Sequence, residues 1–107
     1  MNRKYLFLVA LAIGMLVISG PAAAHTPLFS CMDNGDGTIF CEGGFSDGST
    51  AAGVPVLVKD GNGAILLREE LSRNSDIEFD KPDGEYVVIF DSGEGHVIEI
   101  AGSQIFE

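Results

Sequence analysis

Five turn-forming clusters divide residues 28–101 into short runs: Asn34-Gly35-Asp36-Gly37, Asp47-Gly48-Ser49, Asp60-Gly61-Asn62-Gly63, Lys81-Pro82-Asp83-Gly84 and Ser92-Gly93-Glu94-Gly95. Gly supplies backbone conformations closed to other residues, and Asp and Asn bond their own backbone two residues on, so each cluster reverses the chain. The runs between them are rich in β-branched and aromatic residues and show no helical period after residue 24. The spacing predicts strands near 28–33, 38–45, 54–59, 64–69, 76–80, 85–91 and 96–101. Seven short strands at this spacing make an all-β, antiparallel sandwich. Alternation assigns the inner faces to Val54, Val56 and Val58, to Ile77 and Phe79, to Tyr86, Val88 and Phe90, and to Ile98 and Ile100. Asp76, Glu78 and Asp80 then face water. Pro55 predicts a strand that lies at an edge or starts in an irregular stretch.

The first 24 residues follow a different logic. Arg3 and Lys4 precede an almost purely apolar run, Tyr5 to Ile18. Ser19-Gly20-Pro21 then breaks it, and Ala22-Ala23-Ala24 offers small side chains to a peptidase. That order is a secretory signal peptide over 1–24, cleaved after Ala24, followed by a single domain over 25–107. The competing reading is an uncleaved anchor, since Tyr5 to Ala24 is just long enough to span a bilayer. No second apolar stretch of that length follows, so the mature chain is expected to carry no membrane span and to work in the periplasm or outside the cell.

Everything acidic lies after the leader. Residues 25–107 hold all 16 Asp and Glu against Lys59, Arg68, Arg73 and Lys81, a net charge of −12 where the whole chain has −10. Such a field repels phosphate backbones and anionic lipid and concentrates cations, which argues against nucleic acid as a partner. Cys31 and Cys41 flank the first turn. Folding the chain about Asp36 sets them directly opposite each other, and in an exported chain that pairing predicts a disulfide rather than a thiolate metal site.

Motifs for catalysis are scarce. Asp33-Asn34-Gly35-Asp36-Gly37 superficially resembles a calcium loop, but the register needs acidic ligands where Met32 and Gly43 stand, so a hairpin turn is expected. No sequence arrangement marks a Ser-His-Asp triad. An acidic surface without Trp offers no sugar-stacking platform for paired carboxylates. No catalytic residues are assigned, and the chain is not expected to be an enzyme.

The two histidines carry more information. Cleavage after Ala24 makes His25 the first residue, with its α-amine and nearer ring nitrogen able to close one chelate ring on a metal. Cleavage after Ala22 would instead leave His25 third in the chain, where binding through deprotonated amides is the geometry. His96 follows the Gly93/Gly95 turn in phase with Ile98 and Ile100 and offers a third nitrogen. Asp91 and Glu94 flank that turn and offer carboxylates as ligands or as groups that orient the ring. Three nitrogens suit Ni(II), Co(II) or Cu(II) better than hard ions. The plainer alternatives are a fraying terminus for His25 and a rim residue for His96.

Ala24-His25, Gly44-Phe45-Ser46-Asp47-Gly48 and Phe90-Asp91-Ser92-Gly93-Glu94-Gly95-His96, in that order, resemble the exported accessory proteins of energy-coupling nickel and cobalt transporters. The resemblance spans most of residues 24–101 and implies an immunoglobulin/transthyretin-like sandwich of the carboxypeptidase-regulatory kind. It implies that His25 and His96 handle Ni(II) or Co(II) and present it to a membrane metal permease for transport. Two other readings stay open: a periplasmic copper carrier of the same geometry, and a non-catalytic protein-interaction module that docks through an exposed sheet edge. The oligomeric state is not legible in the sequence.

Overall fold

In a computed structural model that describes residues 26–107, all seven expected strands are present. They are β1 (Pro27–Asp33), β2 (Thr38–Phe45), β3 (Pro55–Asp60), β4 (Ile65–Glu70), β5 (Asp76–Asp80), β6 (Tyr86–Asp91) and β7 (Val97–Ala101). These bounds agree with the sequence expectation to within a residue. The leader over 1–24 and His25 lie outside the described residues.

Two antiparallel sheets form, one in the order β1-β2-β5 and the other in the order β4-β3-β6-β7. Hairpins join β1 to β2, β3 to β4 and β6 to β7. The connections β2–β3, β4–β5 and β5–β6 pass from one sheet to the other. The inner faces that alternation assigned are observed for Ile77 and Phe79 of β5, Val56 and Val58 of β3, and Tyr86, Val88 and Phe90 of β6, and β2 adds Ile39 and Cys41, which no expectation had covered. Ile98 and Ile100 pack against them from β7.

Phe90 is fully buried and lies opposite a gap in β2. A side chain at Gly43 would stand 2.8 Å from the Phe90 ring and 3.0 Å from Leu71, so only Gly lets the ring enter there. Phe29 stacks on Phe90 with ring centroids 4.9 Å apart, and Phe45 meets it tilted at 6.2 Å. The two sheets therefore meet through aromatic rings on one side of the core.

Pro55 opens β3, which is an interior strand of its sheet and not an edge. Of the two sequence alternatives the irregular start is the one observed, because Pro55 follows the turn in which Val54 N bonds Ala51 O at 3.1 Å. The edge is β4, whose register with β3 slips between Val58 and Lys59. Such a bulge interrupts an edge that would otherwise pair with another chain.

The C-terminal segment shows no periodic signal and still completes the fold. A 3₁₀ turn, Gly102–Gln104, follows β7, Ile105 is buried, and Asp33 N donates to Phe106 O at 2.9 Å. The tail thus ties β1 to the opposite sheet. Gly102 lies against Tyr86, where a Cβ would collide with the ring.

The first hairpin is fastened twice. Asn34 N donates to Thr38 O at 3.0 Å, which makes that pair hydrogen-bonded and, by alternation, makes Cys31/Cys41 a non-hydrogen-bonded pair. Its Cα atoms are 4.0 Å apart and the sulfurs are bonded. At the turn, Asp33 Oδ1 accepts from Gly35 N at 2.8 Å while Oδ2 pairs with Lys81 Nζ at 2.7 Å. Lys81 N also donates to Gly37 O, which fixes the β5–β6 connection to the hairpin. Asp36 accepts from both the backbone and the hydroxyl of Thr38.

Two predictions follow from the hairpin. A cross-link over ten residues restricts the unfolded chain by roughly 2–3 kcal/mol. The urea midpoint of the oxidised protein should therefore fall clearly when reductant is added; an unchanged midpoint contradicts the assignment. The second concerns pH. The Lys81 hydrogen bond holds Asp33 below the usual carboxylate range, and the Thr38 hydroxyl does the same for Asp36. A carboxyl group with a lowered folded pKa stabilises the fold above its unfolded pKa and loses that contribution as pH falls through the folded one. Asp33→Asn/Asp36→Asn should be less stable than the parent at pH 6. It should also lose less thermal stability between about pH 5 and pH 2.

Candidate functional site

The β6–β7 turn is built so that a histidine stands at its exit. Asp91 Oδ1 accepts from Gly93 N at 3.1 Å, and His96 N donates to Gly93 O at 2.9 Å. Ser92 closes the turn by donating to His96 O from its backbone N at 3.2 Å and from its hydroxyl at 2.6 Å. Gly93 (φ 120°) and Gly95 (φ 78°) occupy backbone conformations that L side chains rarely adopt. The constraint leaves His96 half-buried at the rim of the core, on the same side of the strand as Ile98 and Ile100.

The ring orientation has a chemical consequence. His96 Nδ1 lies 3.0 Å from Glu94 O. A carbonyl oxygen only accepts, so in this hydrogen bond Nδ1 carries the proton. The neutral ring then keeps its lone pair on Nε2. A backbone carbonyl that fixes the tautomer in this way is a common support for a metal-binding imidazole.

His96, Ser92, Phe45 and Ser49 line a cavity of about 290 Å³ at this end of the sandwich. Phe45 ends β2, and Ser49 lies in the turn after it, where Asp47 Oδ1 accepts from Ser49 N at 2.9 Å and from its hydroxyl at 2.6 Å. The start of the described chain is pinned to the same turn. Thr26 N donates to Ser46 Oγ at 3.1 Å, and Ser46 N donates to Thr26 O at 2.9 Å. Thr26 and His96 therefore converge on the segment Phe45–Ser49 from two sides. His25, the residue before Thr26, lies outside the described residues.

The other sequence candidates behave differently. Asp91 spends one carboxylate oxygen on the Gly93 backbone, and Glu94 meets His96 through its main-chain carbonyl. Among the described residues, no group of three or more His, Cys, Asp or Glu side chains stands close enough to hold a metal ion. Cys31 and Cys41 are joined, so the reading of two thiolate ligands is set aside. The turn Asp33–Gly37 is a hairpin turn whose carboxylates are committed to Gly35, Lys81 and Thr38. Sequence reasoning did not anticipate Ser49 or Ser92 as cavity walls or Ser46 as the anchor of Thr26. Their signal was no more than a turn composition, and only the packing of one sheet on the other brings the two turns together.

No protein-family model, curated protein or solved structure matches this chain. Among the described residues no helix is long and apolar enough to cross a membrane. The disulfide accords with an oxidising compartment.

The tautomer is directly measurable. Two-bond ¹⁵N–¹H correlation spectra of the neutral His96 ring should show the proton on Nδ1, and a ring protonated on Nε2 would contradict the Glu94 hydrogen bond.

Proposed function

We propose that this chain is an exported, non-catalytic metal-binding accessory protein that holds Ni(II) or Co(II) between an N-terminal His25 and His96 and presents it to a membrane permease. The single observation that carries this reading is the anchoring of Thr26 to Ser46 beside the cavity that His96 lines. It keeps the start of the domain within reach of a histidine whose Nε2 is free to coordinate. The α-amine and Nδ1 of a terminal histidine add two nitrogens in one chelate, a donor set suited to late first-row divalent ions. The acidic surface favours the approach of cations. Copper(II) fits the same donors and binds nitrogen sites more tightly than nickel or cobalt, so metal supply rather than affinity would decide the cargo. Strand orders 1-2-5 and 4-3-6-7 support an immunoglobulin-like arrangement as the finer description of the sandwich.

The reading requires removal of residues 1–24. Calorimetric titration of the chain beginning at His25 should show binding of Ni(II), Co(II) and Cu(II). His25→Ala, His96→Ala and a version with one residue added before His25 should each weaken binding by about tenfold or more. Binding that is unchanged in both histidine variants would falsify the proposal.

A further inference from the structure

Along one side of the sandwich the edge strands β4 and β5, one from each sheet, flank a cavity of about 360 Å³. Val58, Leu66, Leu67 and Phe79 give it an apolar lining, and Asp80 and Asp83 stand in its wall. The lining is open to solvent through Leu66, which is 50% exposed. Lys81 also belongs to the wall, but its ammonium is paired with Asp33. Main-chain groups are open beside the cavity as well. Gly43 N donates to Ser75 O and Lys81 N to Gly37 O, so by alternation Ile77 and Phe79 turn their N–H and C=O groups to β2. Those of Glu78 and Asp80 point the other way, off the edge of the sheet, and no described residue bonds them. At the start of the strand Ser72 N already bonds Asp76 O, so the open stretch is Glu78 to Asp80. The β4 edge is bulged and the β1 edge bonds the tail through Asp33 N, whereas the register of β5 is unbroken. A regular, unbonded edge beside an apolar cavity is what an added strand requires.

We propose that an extended, basic segment of a partner protein, carrying one apolar side chain, adds to β5 as a fourth strand of the sheet β1-β2-β5. Period and charge select the segment. In an added antiparallel strand the residues opposite Glu78 and Asp80 exchange main-chain hydrogen bonds with them and set their own side chains beside the two carboxylates. The residue opposite Phe79 points inward, into the cavity, where an apolar group is accommodated without loss of hydration. The residue opposite Ile77 points inward too. A short connection joins the end of β4 to the start of β5, so Glu69 lies toward Ile77 as Leu67 lies toward Phe79. Glu69 shares the inner side of β4 with Leu67, two residues away, yet is exposed. A cation opposite Ile77 therefore meets a carboxylate. From its N-terminus the segment reads basic, apolar, basic, basic. An acidic segment would meet like charges at Asp80, Glu78 and Glu69, and a second copy of β5 laid here would set carboxylate against carboxylate. This inference does not rest on the metal reading: the cavity abuts the connection that enters β6, and His96 follows the turn that leaves it.

The test uses protein expressed from the full-length gene and purified in the form the cell delivers. The probe is a fluorescent threonine peptide with lysine, leucine, lysine and lysine in succession at its centre, titrated by anisotropy at about 0.15 M salt. It should bind at micromolar concentration. Serine in place of the leucine should weaken binding by about tenfold or more. Asp80→Lys and Glu69→Lys, each with unchanged circular dichroism, should do the same, and a peptide with glutamate for lysine should bind the folded double variant. Hydrogen exchange separates strand addition from plain charge attraction. The Glu78 and Asp80 amides should exchange about tenfold or more slowly in the complex, and a peptide N-methylated at the two residues opposite them should bind about tenfold or more weakly. No binding, binding indifferent to the leucine or to the charge reversals, or no rescue of the folded double variant overturns the inference. Binding that leaves the two amides unprotected, or that survives N-methylation, overturns it as well.

Discussion

The arrangement turns on one ring. Phe90 is fully buried, and it can reach the opposite sheet only because Gly43 has no side chain. Once seated, it holds Phe29 of β1 and Phe45 of β2 against β6. Burying an aromatic side chain of this size contributes about 2–3 kcal/mol, a large share of the net stability of a small domain. The consequence for the candidate site is geometric. Phe90 is the last residue but one of β6 and Phe45 the last of β2, so each leads directly into a turn. Packing the two rings together brings the turns Ser46–Ser49 and Ser92–His96 to one end of the sandwich, and Thr26 joins them there by pairing with Ser46.

Much of this was legible before any coordinates. Strand positions were readable because every turn cluster carries Gly beside a polar or acidic residue, and inner faces were readable because the period of two is strict in β5 and marked by Val56/Val58 in β3 and Ile98/Ile100 in β7. The Cys31/Cys41 pair followed from the symmetry of the chain about Asp36. Other features left no local trace. The run Val87-Val88-Ile89-Phe90 is apolar on both faces, so alternation identifies Val88 and Phe90 as core without showing that Ile89, on the other face, is only 8% exposed. Gly43 reads as a weak strand residue until the ring opposite it is known. Gly102 and Ile105 shape the tail through single contacts with Tyr86 and the core, and one residue has no period. Pro55 permitted two readings, and the choice between them depended on which strands flank β3.

Charge is unevenly spent. Residues 25–107 carry four basic residues against sixteen acidic ones. Lys81 bridges the first hairpin to the β5–β6 connection. An exposed ion pair contributes little by itself, so Lys81 matters through its backbone bond to Gly37 as much as through its charge. The remaining acidic surplus is spread over turns and exposed strand positions, where it favours the approach of cations over anions.

On the proposed reading, the composition of the site bears on what it could do with a metal. Two residues supply three nitrogens, while Asp91 is engaged with Gly93 and no cluster of further ligands stands nearby among the described residues. A structural zinc site, by contrast, closes all four positions with protein side chains. Coordination completed by water leaves positions open to an incoming ligand, and transfer to another protein proceeds through such positions. On that reading one of the donors would be the chain terminus, next to the Thr26–Ser46 anchor. The other is held rigidly by Ser92 and the Glu94 carbonyl. A donor set that leaves coordination positions to water suits capture followed by release better than permanent retention.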